Sequence, residues 1–377
     1  MKRRALLLGA LLMPTAAHAR PSKRKPPKQA APKAAARPKP FGPQPLKDGK
    51  SQLVAFNASA FPYRSVVPGS NKPFLDAKNG KQRGHTGPRG EVYWERTTYS
   101  DRRSLLYLPA GFDPQRPMLM VLYFHGHGAT LERDVMARQA VPRQIAEAGR
   151  NVALVAPQLA VDAADSSPGN FWKPGHFAAY VDEAAERLMR LYGDRAAGRQ
   201  LNLAPVVIVA YSGGYLSAAY ALDRGGAGHR IKGVILMDAL YGDEDKYAAW
   251  LAARRRQAFL LSAYTDSTRD QNAALQGLLG KRREPFARTL PSALNPGTDA
   301  FVPCGRRDMH GAGHRVRGDD RTVADAHAFF QARAGVGADG AAGRGAGGRR
   351  RACGHARGHR GRRGVGLAGG AVRLAQQ

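Results

Sequence analysis

A serine in the middle of the chain has the surroundings expected of a catalytic nucleophile. Ser212 stands in the segment Ala210–Gly214 (AYSGG), directly after the apolar run at 206–209 and before a predicted helix. A serine on such a strand-to-helix turn has a strained backbone and a hydroxyl exposed above the sheet. The close approach of strand and helix requires small residues two positions before and after it, as Ala210 and Gly214 are. The pattern predicts an acyl-transfer nucleophile; the alternative is a serine that caps the helix.

A glycine-rich loop supplies the second feature. The residues HGHG at 125–128 follow the apolar run at 118–124. Acyl transfer needs two preorganised backbone N–H donors for the tetrahedral oxyanion. We expect one from Gly213, just after the serine, and the other from His127 or Gly128. The alternative is a tight turn that contains two incidental histidines.

The same histidines allow a second class of enzyme. His125 and His127 lie two residues apart at a predicted strand end and could both bind zinc or another divalent ion in a metal-dependent hydrolase. Such a site needs at least one further histidine or carboxylate, and the sequence offers no downstream set with suitable spacing. The serine mechanism needs no cofactor, and we predict none.

Together, these two motifs resemble the α/β-hydrolase superfamily in its bacterial esterase, lipase and polyester-depolymerase-like branches. The resemblance covers roughly residues 91–334. One departure is Ala210, where the commonest pattern has glycine. The resemblance implies a serine hydrolase that cleaves small-molecule or polymer carboxylic esters through an acyl-enzyme. A peptidase or an acyltransferase would use the same parts.

Two aspartates compete for the acid of a triad that runs serine, acid, histidine along the chain. Asp266 follows the predicted strand at 258–263, where the superfamily usually places its acid. Asp238 ends the preceding strand, as in lipases that carry the acid one strand earlier. We favour Asp266 slightly, and expect the other residue to be a helix cap or a turn residue.

The base is expected on a loop just after the last strand, near residues 300–303. His310 is the first candidate there, and His314 is the second. His327 falls in a helical pattern beside two phenylalanines and is expected to pack instead. Residues 335–377 are almost entirely Gly, Ala and Arg, a composition that indicates a reading-frame error somewhere after about residue 300. Such an error would remove the true histidine.

The elements around these motifs alternate between strand and helix. Five buried runs without polar alternation, at 118–124, 152–156, 206–210, 234–237 and 258–261, predict strands covered on both faces. Val92–Thr98 and Ser104–Leu108 are predicted as an opening pair of strands. Predicted helices lie at 177–191, 213–223, 246–254 and 270–279. The fold class is therefore α/β, a doubly wound and mostly parallel central sheet with helices on both faces.

A long irregular insertion, at 159–175, is predicted at the carboxyl end of one of these strands. Phe171 and Trp172 near its end could form an aromatic wall of the substrate pocket. The preferred interpretation is an aromatic anchor that holds the loop in place.

The termini differ from this core in composition. Residues 1–19 read as a Sec-type signal peptide, with a basic start, an apolar segment and cleavage after Ala19. Residues 20–50 are a Pro/Lys/Ala-rich linker that we expect to be disordered, 51–334 form the hydrolase-like domain, and 335–377 are a disordered tail or a frameshift product. We therefore predict a periplasmic or secreted protein.

Charge bears on possible partners. The chain carries a net charge of +30, and residues 20–50 hold ten basic side chains against one acid. Such a segment could contact an anionic cell-envelope surface. A third hypothesis is accordingly a non-catalytic, envelope-binding hydrolase-like domain. No specific nucleic-acid partner is expected for an exported protein, and no apolar run reaches the roughly 18 residues of a transmembrane helix.

Overall fold

A computed structural model describes residues 43–254 and 256–304 of the chain. Their central feature is an eight-stranded sheet with the order β1-β5-β7-β6-β8-β9-β10-β11. The two antiparallel pairings both involve β5, and all others are parallel. The strands are β1 (Lys50–Ala55), β5 (Arg103–Leu108), β6 (Leu119–Phe124), β7 (Val152–Pro157), β8 (Val206–Tyr211), β9 (Ile231–Met237), β10 (Phe259–Tyr264) and β11 (Asp299–Pro303).

Helices follow the strands along the chain. The longest of them, α3, begins at His176, after the left-handed Gly175, and ends at Tyr192, before the left-handed Gly193. Short 3₁₀ turns lie at Gly169–Trp172, Arg195–Ala197, Ser212–Gly214 and Asp266–Thr268, and a π-helix spans Leu131–Arg138. The α-helices are α1 (Glu95–Thr98), α2 (Val141–Glu147), α3 (His176–Tyr192), α4 (Gly198–Leu203), α5 (Tyr215–Asp223), α6 (Glu244–Arg254) and α7 (Arg269–Lys281).

The central strands are apolar throughout because both faces of the sheet are covered. Along β6, Met120, Leu122 and Phe124 enter one hydrophobic cluster, which also contains residues of α3 to α7. The alternate residues of β6 enter a second cluster with the π-helix and α2. Because successive side chains of a strand point to opposite faces, the two clusters are the two sides of the sheet. The predicted doubly wound, mostly parallel sheet is confirmed.

The prediction for the start of the domain was partly wrong. Ser104–Leu108 lies in β5 as expected, but its antiparallel partner is β1 rather than Val92–Thr98. Val92–Thr98 instead divides into β4 (Val92–Trp94) and α1. β4 belongs to a separate three-stranded sheet with β2 (Ala77–Asn79) and β3 (Gln82–Thr86). The strands of this small sheet are short and largely exposed, so they lack the apolar run that marks a buried strand.

The aromatic pair in the long insertion anchors the loop, as the preferred interpretation predicted. Phe171 is fully buried and its ring packs against those of Phe124, Phe177 and Tyr180. Trp172 is 6% exposed and packs against the rings of Tyr63, Phe74 and Tyr220. Because both rings are enclosed by other aromatic side chains, they connect the loop to the core and do not line the pocket described below.

Candidate active site

Ser212 occupies a strained turn at the end of β8. Its φ angle is +48°, in the left-handed region that non-glycine residues rarely adopt. The Ser212–Gly214 turn leads directly into α5. A Cβ at Gly214 would lie 2.5 Å from the Phe124 carbonyl oxygen, so only glycine permits this approach. The geometry matches the strand-to-helix turn expected around a nucleophilic serine.

The neighbouring strands end level with this turn. Phe124 of β6 pairs with Ala210, and Met237 of β9 pairs with Tyr211. The residues that follow these strands therefore meet at one edge of the sheet, where ligands bind in open α/β folds. A serine with positive φ at the carboxyl edge of a mostly parallel sheet completes the predicted arrangement. The fold is α/β-hydrolase-like.

The glycine-rich loop lies against the serine. A Cβ at Gly126 would lie 3.0 Å from the Cβ of Ser212. The His127 ring covers Gly213, where a Cβ would lie 2.3 Å from the ring Cδ2. The Gly128 N–H donates to the Ala163 carbonyl oxygen at 2.9 Å, so that group already has an acceptor. Of the two loop candidates for an oxyanion donor, the geometry favours the N–H of His127.

His127 itself is held by a hydrogen bond across the pocket. Its Nε2 lies 2.7 Å from the Ser166 hydroxyl. Partial burial lowers the pKa of the imidazole; the Asp165 carboxylate opposes this effect, and the Arg89 guanidinium adds to it. The ring is therefore neutral at physiological pH and serves as an uncharged wall beside Gly213.

His125 has a structural role. It is fully buried, and its Nδ1 lies 2.8 Å from the Gly126 carbonyl oxygen, which requires a proton on that nitrogen. Its Nε2 accepts the Leu159 N–H at 2.9 Å and lies 3.0 Å from the Gln158 amide nitrogen. Burial lowers the pKa of His125 to about 4. With both nitrogens engaged by the protein, His125 cannot also bind a metal ion, which contradicts the two-histidine metal site.

Asp238 directly follows β9, the strand that pairs with β8 beside the serine. It is fully buried and has a φ of +46°. Its Oδ1 accepts the Thr265 N–H at 2.9 Å and the Thr268 hydroxyl at 2.7 Å, and its Oδ2 accepts the Thr265 hydroxyl at 2.8 Å. These donors satisfy much of the hydrogen-bonding capacity of a carboxylate that burial would otherwise disfavour.

Asp266 is placed differently. Its side chain is 60% exposed and forms an ion pair with Arg269 in the 3₁₀ turn after β10. An exposed carboxylate with a flexible arginine partner is poorly suited to hold an imidazole in one orientation. The slight preference for Asp266 drawn from the sequence is therefore not supported by its surroundings, and Asp238 has the more suitable environment.

The expected bases lie outside the described residues. His310 and His314 both follow Cys304, the last residue of the described part of the chain. The strand that should precede them is present as β11, parallel to β10 at the edge of the sheet. The described chain therefore leaves β11 at the same carboxyl edge of the sheet that carries Ser212 and Asp238.

Ser212 lines a pocket of about 690 Å³. Its walls come from the β3–β4 connection, the loop after β7, the start of α5 and the loop after β9. Most lining side chains are polar, a feature that the sequence did not reveal because the contributing segments are far apart in the chain. The lining residues beyond Ser212, His127 and Gly213 are His85, Thr86, Pro88, Arg89, Ala164, Asp165, Ser166, Ser167, Tyr215, Leu216 and Tyr241.

Tyr241 is a pocket residue with an ionisable side chain that sequence reasoning missed. It lines the same pocket as Ser212, and its ring centroid is 5.8 Å from that of Tyr215. Burial and the negative charge of Asp238 raise the pKa of the phenol, which therefore keeps its proton at neutral pH. The only available signal in the sequence was its position three residues after Asp238.

Comparison with solved structures returns several α/β-hydrolase superfamily members. One is the feruloyl esterase module from Clostridium thermocellum, in a mutant complexed with sinapinate, with 14% identity and a TM-score of 0.36 over 65% of this chain and 89% of that chain. An S-formylglutathione hydrolase from Staphylococcus aureus has 14% identity and a TM-score of 0.34 over 59% and 88% of the two chains. A dienelactone hydrolase from Anabaena variabilis has 12% identity and a TM-score of 0.33 over 68% and 87%.

No family model matches the sequence, and no curated protein matches it. Within residues 43–304, apart from residue 255, no helix has the length and apolar character to cross a membrane. In the same part of the chain, no three His, Cys, Asp or Glu side chains form a group that could hold a metal ion.

Proposed function

We propose that this protein is a serine hydrolase that cleaves carboxylic esters through an acyl-enzyme. The observation that carries the proposal is the strained backbone of Ser212, whose side chain lines the pocket at the carboxyl edge of the sheet. Strain of this kind persists where the surrounding structure enforces it, and it is concentrated at functional sites. The tightly packed glycines at 126 and 214 provide that enforcement here.

The roles of the other groups follow from their places around the serine. Ser212 attacks the ester carbonyl carbon and its proton passes to a histidine base, His310 or His314, which Asp238 orients. The N–H groups of Gly213 and His127 hold the oxyanion. The imidazolium gives the proton to the departing alkoxide oxygen, which leaves as the alcohol. Water then attacks the acyl-enzyme, with the histidine taking the proton of the water and passing it to Ser212 as the acid leaves.

The pocket supports polar substrates. Its side chains include two phenols, an arginine, hydroxyls and imidazoles, and the sole large aliphatic side chain among its lining residues is Leu216. Long acyl chains gain binding energy from contact with large aliphatic side chains, and the pocket lining includes one such side chain. We therefore propose short-chain or hydroxylated esters as substrates, with p-nitrophenyl acetate cleaved in preference to p-nitrophenyl palmitate.

We also propose that the enzyme is exported. Residues 1–19 carry the features of a signal peptide, so the enzyme would act in the periplasm or outside the cell, with the basic segment after Ala19 free to contact anionic envelope polymers. Detection of a mature N-terminus at Arg20 in the exported fraction would test this part of the proposal.

A fluorophosphonate adduct detected by intact mass tests the nucleophile. The wild-type chain should gain one adduct, and Ser212→Ala should gain none and lose ester hydrolysis. Two matched variants keep the result specific. Ser166→Ala removes another pocket hydroxyl, which lies 2.7 Å from His127 Nε2, and Ser217→Ala removes a buried hydroxyl in α5, the helix that follows the Ser212 turn. Labelling that survives Ser212→Ala, or disappears in Ser166→Ala, would show that the nucleophile has been misassigned.

A further inference from the structure

Arg89 brings a positive charge to the wall of the Ser212 pocket. It lines the pocket from the connection between β3 and β4, and the residue is exposed. Arg83, in β3, forms an ion pair with Glu95 at 2.8 Å. In the part of the chain that the structure describes, no carboxylate lies within ion-pair distance of Arg89. The Arg89 guanidinium is therefore available to a ligand in the pocket.

A tight turn fixes the position of Arg89. The Gly90 N–H donates to the Gly87 carbonyl oxygen at 2.9 Å, which closes a β-turn with Pro88 and Arg89 as its two central residues. Proline restricts the backbone directly before the arginine. A Cβ at Gly87 would lie 2.8 Å from the Tyr93 ring, so the turn packs closely against β4. The backbone that carries Arg89 is thus well defined before any ligand binds.

The acidic residue of the pocket wall, Asp165, is satisfied by other groups. Its side chain is almost fully buried, and its Oδ2 accepts the Tyr99 phenol at 2.8 Å. Its Oδ1 accepts both the N–H of Ser167, at 3.0 Å, and the hydroxyl of Ser167, at 2.8 Å. Because these donors hold both oxygens and no ion pair joins Asp165 to Arg89, the guanidinium keeps its N–H donors for an incoming anion.

The charge of Arg89 also reaches the groups beside the nucleophile. Burial is the main cause of the lowered pKa of His127, and the positive charge of Arg89 adds to it. The His127 ring covers Gly213, the residue after Ser212. A pocket of about 690 Å³ has room for a small ester that extends from Ser212 to Arg89.

We propose that Arg89 binds a carboxylate of the substrate, so that the preferred ester carries a negative charge at a distance from the carbonyl that Ser212 attacks. The inference rests on the proposed serine-hydrolase function and names its substrate class. A guanidinium presents two parallel N–H groups that match the two oxygens of a carboxylate. Arg89 makes and breaks no covalent bond, and its role is to select and orient the anionic ester.

Two pairs of esters test the preference, because the carboxylate could belong to either part of the ester. Mono-p-nitrophenyl adipate and its methyl ester place or remove the charge in the acyl part. 4-Acetoxyphenylacetate and its methyl ester do the same in the departing part. We expect wild type to show a kcat/KM about tenfold higher for the charged member of at least one pair, since hydrogen bonds to charged groups have effects of this size. The pair that shows the preference identifies which part Arg89 binds.

Arg89→Gln tests the residue. The variant keeps a polar side chain and loses the charge, so the ratio of kcat/KM between the charged ester and its methyl ester should fall from about 10 to about 1. The change should come mainly from a higher KM for the charged ester, because the carboxylate is bound both before and during the reaction. Arg96→Gln is the matched control. Arg96 is an exposed arginine of α1 that does not line the pocket, so this variant should keep the wild-type ratio.

A binding measurement makes the test independent of turnover. Phenylacetate and phenylacetamide have the same ring and differ in charge. Phenylacetate should slow the fluorophosphonate labelling of wild type more than phenylacetamide does at the same concentration. This difference should disappear in Arg89→Gln and persist in Arg96→Gln.

Several results would overturn the inference. Wild type might be equally active on both members of each pair, or Arg89→Gln might keep the wild-type ratio. An equal fall in Arg96→Gln would assign the preference to the overall charge of the protein and not to the pocket. In each case a wild-type adduct on Ser212 leaves the proposed hydrolase function intact. Absence of that adduct would instead refute the function, and the assignment of Arg89 with it.

Discussion

The buried imidazole of His125 gives a prediction that can be worked out quantitatively. The Nδ1 of His125 donates to the Gly126 carbonyl oxygen, just after β6, and its Nε2 accepts the Leu159 N–H, in the loop after β7. Protonation of Nε2 would replace an acceptor by a donor that faces the Leu159 N–H. Burial and this mismatch both favour the neutral ring in the folded state, and burial is the larger cause of a pKa of about 4.

The sign of the effect on stability follows from linkage. The folded-state pKa lies below the unfolded value of about 6.5, so the unfolded chain binds more protons between those two values. The stabilising effect is complete above about pH 6.5 and is lost as the pH falls toward 4. The full loss corresponds to about 3 kcal/mol, and the loss between pH 7.5 and pH 5 to about 2 kcal/mol.

Urea unfolding at the two pH values measures this effect, and His125→Gln isolates it. Glutamine offers an amide in place of the ring but does not titrate. We expect wild type to lose about 2 kcal/mol more than His125→Gln between pH 7.5 and pH 5. His229→Gln, at an exposed histidine, should retain the wild-type pH dependence. Equal losses in wild type and His125→Gln, or a protonated Nε2 in a nitrogen NMR titration at pH 5.5, would refute the buried neutral tautomer.

Two further predictions concern the site itself. Asp238→Asn should lower kcat by roughly 10³-fold and lower stability by about 2 kcal/mol, since an amide cannot accept from all the donors that surround the carboxylate. Asp266→Asn, at an exposed position, should change kcat less than about twofold. The reverse ranking of the two variants would restore Asp266 as the acid. Gly213→Ala should lower kcat/KM by about 10²-fold, because its Cβ would lie 2.3 Å from the His127 ring at the proposed oxyanion site. Gly277→Ala in α7, where no atom lies within 4 Å of the added Cβ, is the matched control, and equal kcat/KM values for the two variants would remove Gly213 from the oxyanion site.

The central sheet could be predicted from the sequence because its strands are buried on both faces. Runs such as 206–210 contain no polar residue, and the small residues around Ser212 indicate how closely strand and helix approach. The small sheet could not be predicted in the same way. Its strands are three to five residues long and largely exposed, so their positions depend on packing against the rest of the domain rather than on a local pattern.

Residues of the candidate site could be predicted only where the pattern that marks them lies within one short segment of the sequence. Ser212 and the loop at 125–128 are each recognisable locally, and the sheet register brings them together. The ranking of Asp238 and Asp266 depends on burial, which sequence position does not reveal because both follow strands. Tyr241 was missed for a related reason: its place in the pocket of Ser212 arises from the pairing of β8 with β9 and the path of the loop beyond β9.

The surroundings of Asp238 argue that this carboxylate is retained for more than packing. A buried charge is costly unless several donors satisfy it, and an apolar side chain of similar size is often no less stable at such a position. Here Thr265 and Thr268, both themselves buried, direct hydroxyls at the carboxylate. The arrangement places a fixed negative charge one strand from a strained serine, where it can orient a histidine. Asp238→Leu would separate the two requirements: the variant should fold but lose turnover, whereas failure to fold would show that the charge is needed for the structure itself.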